Sequence, residues 1–189
     1  MQLNSIKFIF VKQLIPTASV PSHLVSIAEK RTKQALEIGK RKLNIEIPFE
    51  GVQFFHKSAT AGFVMPMKNN VVYLNRDLLE SNIAHFVDNT IPHEVAHLFA
   101  FSVAMKQKRL EPAHGKTWKK VMRNVYGLEP EVFHKLDTSI SPTGRKKYKY
   151  ICRCQKHLVG SRVHNRIETG SIYKCRYCKT DLTFLSKID

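Results

Sequence analysis

The sequence predicts an α+β fold, with a helical and β-hairpin domain over residues 1–140 and a small basic β module over residues 141–189. Apolar residues recur at helical spacing from Ile83 to Ala104, which predicts a buried helix. Two apolar segments flank an asparagine-containing turn and predict a β-hairpin. The last module is too small to be stable by apolar burial alone, and its two close pairs of cysteines within residues 152–178 predict that a metal ion stabilises it.

Length and composition suit one sizeable domain with a small appendage. The chain has 189 residues and a formal net charge of +16, and no apolar run is long enough to span a bilayer. The run Phe8–Val11 is too short for the apolar region of a signal peptide, and we interpret it as a strand or a packing arm. We therefore expect a monomeric cytoplasmic protein that can associate with the nucleoid and has no membrane partner.

The first domain begins with an amphipathic helix, predicted from Pro21 to about Ile38, whose apolar stripe lies opposite a basic side. Three strands follow, at residues 49–57, 62–67 and 70–75, and a turn at residues 68–70 joins the last two. A short helix at Leu78 and Leu79 precedes the long helix from Ile83. Further helices are predicted around Trp118 and from about Pro130, and residues 139–144 are predicted to be a linker.

Pro92 lies within the long helix, where it lacks an amide donor and disfavours helical backbone at Ile91. The helix therefore either continues through a kink, which we favour, or starts afresh with Thr90 as its N-cap. Asn82 is the expected cap at the earlier start. Both alternatives leave His93 and His97 on one helical segment.

His93, Glu94 and His97 form the motif His-Glu-x-x-His on this helix. Positions i and i+4 share one face, so both imidazoles can reach one metal ion, and Glu94 lies beside them as a base. Zinc lowers the pKa of a bound water to about 7, which gives a nucleophile at neutral pH. A buried helix with two structural histidines is the alternative, but the adjacent carboxylate favours a metalloprotease site.

A catalytic zinc ion usually has three protein ligands and one open position. His114 is the best third candidate, because it lies at a loop-to-helix junction where the chain has turned back after the long helix. Trp118, one helical turn later, is placed to pack against it. His134 is the next alternative, and Glu111 and Glu131 are weaker ones.

The cysteines predict a second, structural zinc site. Cys175 and Cys178 have the C-x-x-C spacing of a zinc knuckle, whereas Cys152 and Cys154 are one residue closer together. His157 is a fifth candidate ligand. A repeated Tyr-x-Cys phrase aligns Cys152 with Cys175 and favours Cys152 as a ligand, while Cys154 and His157 compete for the remaining place.

These motifs together resemble the SprT-like metalloprotease family, and the resemblance covers roughly residues 15–185. It rests on the following segments: Ala61–Phe63, Val71–Asn75, Leu78–Leu79, Pro92–His97, His114–Trp118, Tyr148–Cys154 and Tyr173–Cys178. His164, Asn165 and Arg166 match the bacterial branch of the family in particular. The resemblance implies a gluzincin-like metalloprotease domain followed by a C-terminal zinc ribbon. It also implies His114 as the third ligand of the catalytic zinc, and Cys154 in preference to His157 in the ribbon.

The charge distribution indicates a nucleic-acid partner. Residues 141–180 contain eleven Lys or Arg and one acid, and residues 106–123 contain seven Lys or Arg and one acid. Basic side chains neutralise phosphates, and interleaved tyrosines can stack on unpaired bases. We expect DNA, single-stranded or damaged, as a partner. The tyrosine members of this cluster are Tyr148, Tyr150, Tyr173 and Tyr177.

The predicted function is a zinc-dependent endopeptidase, in which Glu94 assists attack of zinc-held water on a peptide bond. Residues 62–67 are expected to pair with an extended substrate, and Tyr73 and Tyr126 are candidates for stabilising the oxyanion. The family resemblance implies a hydrolase of proteins bound or crosslinked to DNA, as in the eukaryotic relative Spartan. The alternatives are a DNA-binding zinc protein with a latent or structural His-Glu-x-x-His site, and a general peptidase whose charge only aids solubility.

Overall fold

A computed structural model describes residues 14–109, 111–141 and 146–188. The chain divides into two compact units between residues 142 and 143. The predicted strand or arm at residues 8–11 and residues 142–144 of the predicted linker lie outside the described residues. Among the described helices, none combines the length and hydropathy needed to cross a bilayer.

The first unit contains a four-stranded mixed sheet in the order β1-β2-β4-β3. Its strands are β1 (Leu14–Ile15), β2 (Gly51–Phe55), β3 (Gly62–Val64) and β4 (Val71–Asn75). β2 runs parallel to β4, while β1 and β3 pair antiparallel with β2 and β4. Every residue of β4 is buried, so this strand is the centre of the sheet, and β3 is one of its edges.

The predicted hairpin is confirmed, with β3 and β4 as its antiparallel strands. β3 is shorter than expected, because the chain leaves the sheet after Val64 and turns at Met65, whose carbonyl accepts hydrogen bonds from the Lys68 and Asn69 amides. Pro66, which has no amide hydrogen to donate to a ladder, lies in this turn.

Helix α1 (Ser22–Leu43) is longer than predicted and ends at Asn44, which adopts a left-handed conformation with φ of 51°. Its stripe packs on the apolar core, with Leu24, Ala28 and Ala35 fully buried. Gly39 faces the later helix that carries the histidines, and a Cβ at Gly39 would collide with the Phe99 ring. The two helices therefore approach closely at this point.

Asn75 ends β4 and caps helix α2 (Arg76–Ser81), its side chain accepting hydrogen bonds from the Asp77 and Leu78 amides. The next helical run has three parts: α3 (Ile83–His85), a π-helical turn (Phe86–Thr90) and α4 (Ile91–Lys106). The run is continuous, as favoured from the sequence, because the wide turn accommodates the missing donor of Pro92.

Asn82 lies at the N-cap position of α3, as predicted, and Thr90 was the cap only in the alternative that we did not favour. Neither makes a capping hydrogen bond with its side chain, and Thr90 has helical backbone angles. The Asn82 amide instead donates to the Leu78 carbonyl of the preceding helix at 3.0 Å.

Helix α5 (Lys116–Lys120) continues into a second π-helical turn (Val121–Tyr126), which ends at Gly127 with φ of 68°. The predicted helix from about Pro130 is wrong, because the described residues 127–141 contain no helix. Long-range bonds hold this segment in an irregular path: His134 Nε2 lies 2.9 Å from the Ala59 carbonyl oxygen, and the buried Ser141 hydroxyl contacts Asn75 and Asp77.

The second unit contains a three-stranded antiparallel sheet in the order β6-β5-β7. Its elements are β5 (Lys147–Ile151), β6 (Lys156–Gly160), helix α6 (Ser161–Glu168) and β7 (Thr183–Ile188). The sequence reasoning did not predict α6. Its His164 is fixed from the β5 side: the ring stacks on Tyr148 with centroids 3.6 Å apart, and Nδ1 lies 2.9 Å from the Tyr150 hydroxyl.

The whole is therefore a mixed α and β fold, with four cysteines clustered in the second unit.

Candidate metal centres

Helix α4 positions His93, Glu94 and His97. The surroundings of the helix are apolar on almost every side, and Val95, Ala96, Leu98 and Phe99 are buried in the core. This burial fixes the helix, while His93 and His97 remain partly exposed on the face that the core does not cover. Their ring centroids are 5.0 Å apart, as expected for side chains one helical turn apart.

His114 completes a group of three imidazoles. One ring nitrogen from each of His93, His97 and His114 lies within 4.8 Å of the others, and the Nε2 atoms of His93 and His114 are 3.2 Å apart. Nitrogens bound tetrahedrally to zinc at about 2.0–2.1 Å would be about 3.4 Å apart. The group therefore fits a single zinc-sized ion.

Trp118 forms the floor of this group. It is 1% exposed, and its ring contacts all three imidazoles, with centroid distances of 4.7, 5.4 and 4.6 Å to His93, His97 and His114. Its indole nitrogen donates to the His93 carbonyl oxygen at 3.4 Å. The sequence placed Trp118 against His114, and the structure extends that contact to the other two histidines.

The electrostatics keep the imidazoles neutral. Burial, with the neighbouring His114 next in importance, lowers the pKa of His93 to about 4. Burial, followed by the charges of His93 and His114, lowers the pKa of His97 to about 3. Burial and then Lys119 lower the pKa of His114. Neutral imidazoles present the lone pairs that a metal ion requires.

Two backbone carbonyls orient the ligands from outside the group. The Glu131 carbonyl accepts a hydrogen bond from His93, and the Ala113 carbonyl accepts one from His97. Each bond acts to raise the pKa of its histidine, against the larger effect of burial. Metal-binding histidines commonly direct their second nitrogen to such acceptors. Sequence reasoning missed both contacts, because a carbonyl oxygen exists at every residue and carries no sequence signal.

Glu94 is enclosed beside the histidines. It is 6% exposed, and burial raises its pKa to about 8. β3 covers it at Gly62, where a Cβ would lie 2.9 Å from Glu94 Cγ and 3.1 Å from Oε1. Glycine therefore makes room for the carboxyl group, and β3, an edge strand of the described sheet, lies directly against the candidate base.

The other candidates from the sequence lie in different places. His134 bonds the Ala59 carbonyl and is not part of the histidine group. Glu111 accepts a hydrogen bond from the Thr117 amide at 2.9 Å and so caps α5. The Tyr73 hydroxyl accepts from the Asn69 side-chain amide, and the Tyr126 hydroxyl donates to the Ala35 carbonyl. The structure therefore gives both candidate oxyanion donors other partners.

The second unit brings its four cysteines together. One sulfur from each of Cys152, Cys154, Cys175 and Cys178 lies within 4.8 Å of the others, and all four thiols are free of disulfides. The sulfur of Cys154 is 3.4 Å from that of Cys152 and 3.7 Å from that of Cys175. Sulfurs bound tetrahedrally to zinc at about 2.3 Å would be about 3.8 Å apart.

Polar groups surround this cluster. His157 Nε2 lies 3.2 Å from the Cys152 sulfur, so it contacts a member of the cluster without belonging to it. The Thr180 hydroxyl lies 3.0 Å from the Cys178 sulfur. Hydrogen bonds from the side chain and the backbone of Thr180 lower the pKa of the Cys178 thiol to about 5. A thiolate is the form of cysteine that binds zinc.

The tyrosines of the second unit differ in accessibility. Tyr148 and Tyr150, both on β5, are buried and cannot stack on a base. Tyr177, between the last two cysteines, is 80% exposed. Tyr173 is half-buried and accepts a hydrogen bond from Arg166 at 3.4 Å.

These two groups define the protein as one with a three-histidine group and a four-cysteine group that could each hold a metal ion, the first built around a His-Glu-x-x-His helix. The chain belongs to the SprT-like family, whose model matches residues 28–134. It is 34% identical over 161 residues to Protein SprT of Pasteurella multocida, covering 85% of this chain and 93% of that protein. It is 32% identical to Protein SprT of Proteus mirabilis, covering 90% and 99%, and 32% identical to that of Pseudomonas aeruginosa, covering 89% and 98%. No solved structure matches the chain. The family membership inferred from the motifs is thus confirmed.

Proposed function

We propose that this protein is a zinc-dependent endopeptidase with a gluzincin-like site that acts on proteins held on DNA. The observation that carries this proposal is the placement of Glu94 beside the three imidazoles. A site that only holds a metal for structure needs ligands alone, whereas a hydrolase needs a base within reach. Glu94 is buried against the site and belongs to neither metal-binding group.

The donor set fits zinc. Three neutral imidazoles leave a fourth tetrahedral position for a reactant, whereas four thiolates close the second group entirely, as in structural sites. Zinc held by His93, His97 and His114 supplies a Lewis acid that polarises a carbonyl and lowers the pKa of water to about 7.

The protein's own residues then move the proton and hold the substrate. Glu94 accepts the proton of the attacking water and returns it to the nitrogen of the departing amine. Burial raises the pKa of Glu94 in the metal-free protein, and a cation held by the histidines would lower it again, towards the range in which a carboxyl group can both take and release a proton. β3 is last in the strand order of the described sheet and lies beside Glu94, which suits it to pair with an extended peptide substrate.

The charge of the chain supports DNA as the partner that brings substrates. The formal net charge is +16, and the second unit places the exposed Tyr177 between Arg176 and Lys179. Lysine and arginine neutralise phosphates, and an exposed tyrosine offers a face for an unpaired base. Proteins crosslinked to single-stranded or damaged DNA are the substrates we propose, in a cytoplasmic protein that works as a monomer.

A DNA-binding zinc protein with a latent histidine site is the second candidate. The four-cysteine group favours it, because this group and the basic residues around it would bind DNA without any hydrolysis. The two candidates differ in whether Glu94 matters for an activity.

The Glu94→Gln variant tests the proposal. Purified zinc-loaded protein is incubated with a DNA-binding protein, with and without single-stranded DNA. We expect DNA-stimulated cleavage by the unaltered protein and a loss of at least about 100-fold in the variant, because general base catalysis contributes about 10²–10⁴-fold. Zinc content and Trp118 fluorescence should be unchanged in the variant, since Glu94 is not a ligand. DNA binding with no cleavage by either protein would favour the second candidate, whereas cleavage that persists in the variant would show that Glu94 is not the base.

A further inference from the structure

The exposed side of α5 and of the π-helical turn that follows it carries four cationic residues. Lys116, Lys119, Lys120 and Arg123 follow the spacing i, i+3, i+4 and i+7, so their side chains share one face of the helix, and all four are exposed. The opposite face is apolar and buried, through Trp118, Val121, Met122 and Val125. The segment is thus a short amphipathic helix whose polar side consists of positive charge.

This face lies next to the histidine group. Trp118, on the inner side of the same turn, contacts the rings of His93, His97 and His114. The Lys119 amide bonds the Gly115 carbonyl, one residue after His114. The positive charge of Lys119 also contributes to lowering the pKa of His114, which agrees with their closeness. The inner side of α5 therefore contacts the three histidines through Trp118, and the outer side of the same helix carries the exposed lysines.

The lysines of this face make no close ion pair within the described part of the unit, although the charge of Lys116 contributes to the lowered pKa of Glu111. Across the described part of the chain, Lys116, Lys119 and Lys120 form none of the ion pairs, whereas Arg123 pairs with Glu129. Glu111 is the one acid within residues 106–123. It already caps α5 through the Thr117 amide and lies 3.9 Å from the guanidinium of Arg109.

We propose that Lys116, Lys119 and Lys120, the α5 basic face, bind the phosphate backbone of a nucleic acid and hold it beside the histidine group. The inference rests on the proposed function and deepens it, because it gives the protease unit its own contact with DNA. Lysines act as point charges that attract phosphates without reading bases. A protein attached to a strand on this face would be presented close to Glu94.

A nucleic acid fits this surface better than an acidic peptide does. Side chains at these spacings lie about 5–6 Å apart along the helix, which gives a row of positive charges suited to a regularly charged backbone. The apolar residues next to the row, Trp118, Val121 and Met122, are all buried and therefore do not offer a surface to peptide side chains. The surface thus offers charge alone, which is the basis of sequence-independent binding to phosphates.

The test compares two double variants of the full-length zinc-loaded protein. Lys116→Gln with Lys120→Gln removes two charges from the α5 basic face and leaves Lys119, which influences His114, in place. Lys30→Gln with Lys33→Gln removes two exposed charges from α1 and is the matched control. Affinity for a labelled single-stranded oligonucleotide is measured over a salt series, and cleavage of a DNA-bound protein is measured beside cleavage of an unstructured DNA-free protein.

We expect the α5 variant alone to lower the slope of log affinity against log salt by about 1.4, at about 0.7 for each lost phosphate contact. DNA-stimulated cleavage should fall at least several-fold in the same variant, with DNA-free cleavage unchanged. A slope equal to that of the α1 control would overturn the inference. So would an unchanged DNA slope together with weaker cleavage of an acidic peptide in the absence of DNA, since the face would then recognise protein. If the unaltered protein cleaves nothing, the proposed protease function fails, but the slopes still decide whether this face binds DNA.

Discussion

Glu94 shows how burial at one residue sets up both chemistry and a cost in stability. A carboxyl group enclosed by α4 and β3 loses hydration, so its charged form is disfavoured and its pKa rises to about 8. The same burial lowers the pKa values of His93 and His97 to about 4 and 3. In the metal-free protein these shifts make stability depend on pH in opposite directions.

The metal-free protein should lose stability as pH rises from 6.5 to 8. Unfolded Glu94 has lost its proton throughout this range while the folded state retains it, so the folded state binds more protons and rising pH favours unfolding. The loss should reach about 2 kcal/mol, at about 1.4 kcal/mol per pH unit. The histidines act below pH 6.5, where the unfolded state takes up their protons and falling pH favours unfolding.

Denaturant unfolding in a chelator measures this effect through Trp118, which is the one tryptophan of the sequence and lies in the first unit. Glu94→Gln is the control, because a glutamine does not titrate. The prediction is the difference in slope between the two proteins above pH 6.5. Parallel curves would show that Glu94 is already ionised in the folded state.

Gly62 controls the position of Glu94. A methyl group at Gly62 would lie 2.9 Å from Glu94 Cγ and 3.1 Å from both its Oε1 and the Tyr73 carbonyl oxygen. The backbone of β4 cannot move away easily, so the carboxyl group would be displaced. We expect Gly62→Ala to lower kcat at least about 10-fold, since a misplacement of about 1 Å can cost 10²-fold. Zinc binding, measured by metal content and Trp118 fluorescence, should be retained. Full activity would show that Glu94 needs no such fit.

At the scale of elements, Asn75 connects β4, α2 and the irregular segment that ends at Ser141. Its side-chain oxygen caps α2, and its amide nitrogen donates to the carbonyls of Ser58 and Thr60 at 2.8 and 3.1 Å. The same nitrogen lies 3.2 Å from the buried Ser141 hydroxyl. The residues after Thr60 form β3, so this network also fixes the strand that covers Glu94.

Asn75→Ala should destabilise the first unit by about 3 kcal/mol, because it removes a helix cap and leaves the part-buried carbonyls of Ser58 and Thr60 without this donor. Asn82→Ala is the matched control, since the side chain of the half-buried Asn82 donates to the Leu78 carbonyl and makes no capping bond. Its cost should be below about 1.5 kcal/mol. Chemical unfolding followed by Trp118 fluorescence gives both values. Similar losses for the two variants would contradict a connecting role for Asn75.

The sequence predicts those elements whose signals are local. The periodicity of residues 83–104, the hairpin of β3 and β4 and the spacing of the histidines and cysteines are all properties of neighbouring residues. It did not predict the parallel pairing of β2 with β4, because that contact crosses residues 56–70 and no local pattern records it. The segment from Pro130 fails for the same reason: its path is set by His134 and Ser141 bonding to distant residues. The α6 helix was missed because it is short and polar, and because it is held in place by a contact that is distant in sequence: the His164 ring of α6 stacks on Tyr148 of β5.

At the scale of the whole molecule, the two units are stabilised differently. The first has a continuous apolar core that includes Phe54, Leu74, Phe86 and Phe99, all fully buried. In the described part of the second, the buried apolar residues are two tyrosines and two cysteines. For a module with so little core we expect a metal ion to join the cysteines, because apolar burial alone does not offset the entropy of ordering its chain.

Chelation should therefore unfold the second unit and leave the first folded. Binding energy at a structural zinc site is folding energy, whereas the histidine group lies on a helix already fixed by the core. Amide hydrogen exchange in a strong chelator should show loss of protection in β5 and β6, with protection retained in α1 and β4. Cys175→Ser should produce the same loss with zinc present, because it removes one of four ligands, while His114→Ala should not. Protection of β5 that survives chelation would mean that Tyr148, Tyr150 and His164 suffice to hold the sheet, and that the four cysteines serve another purpose.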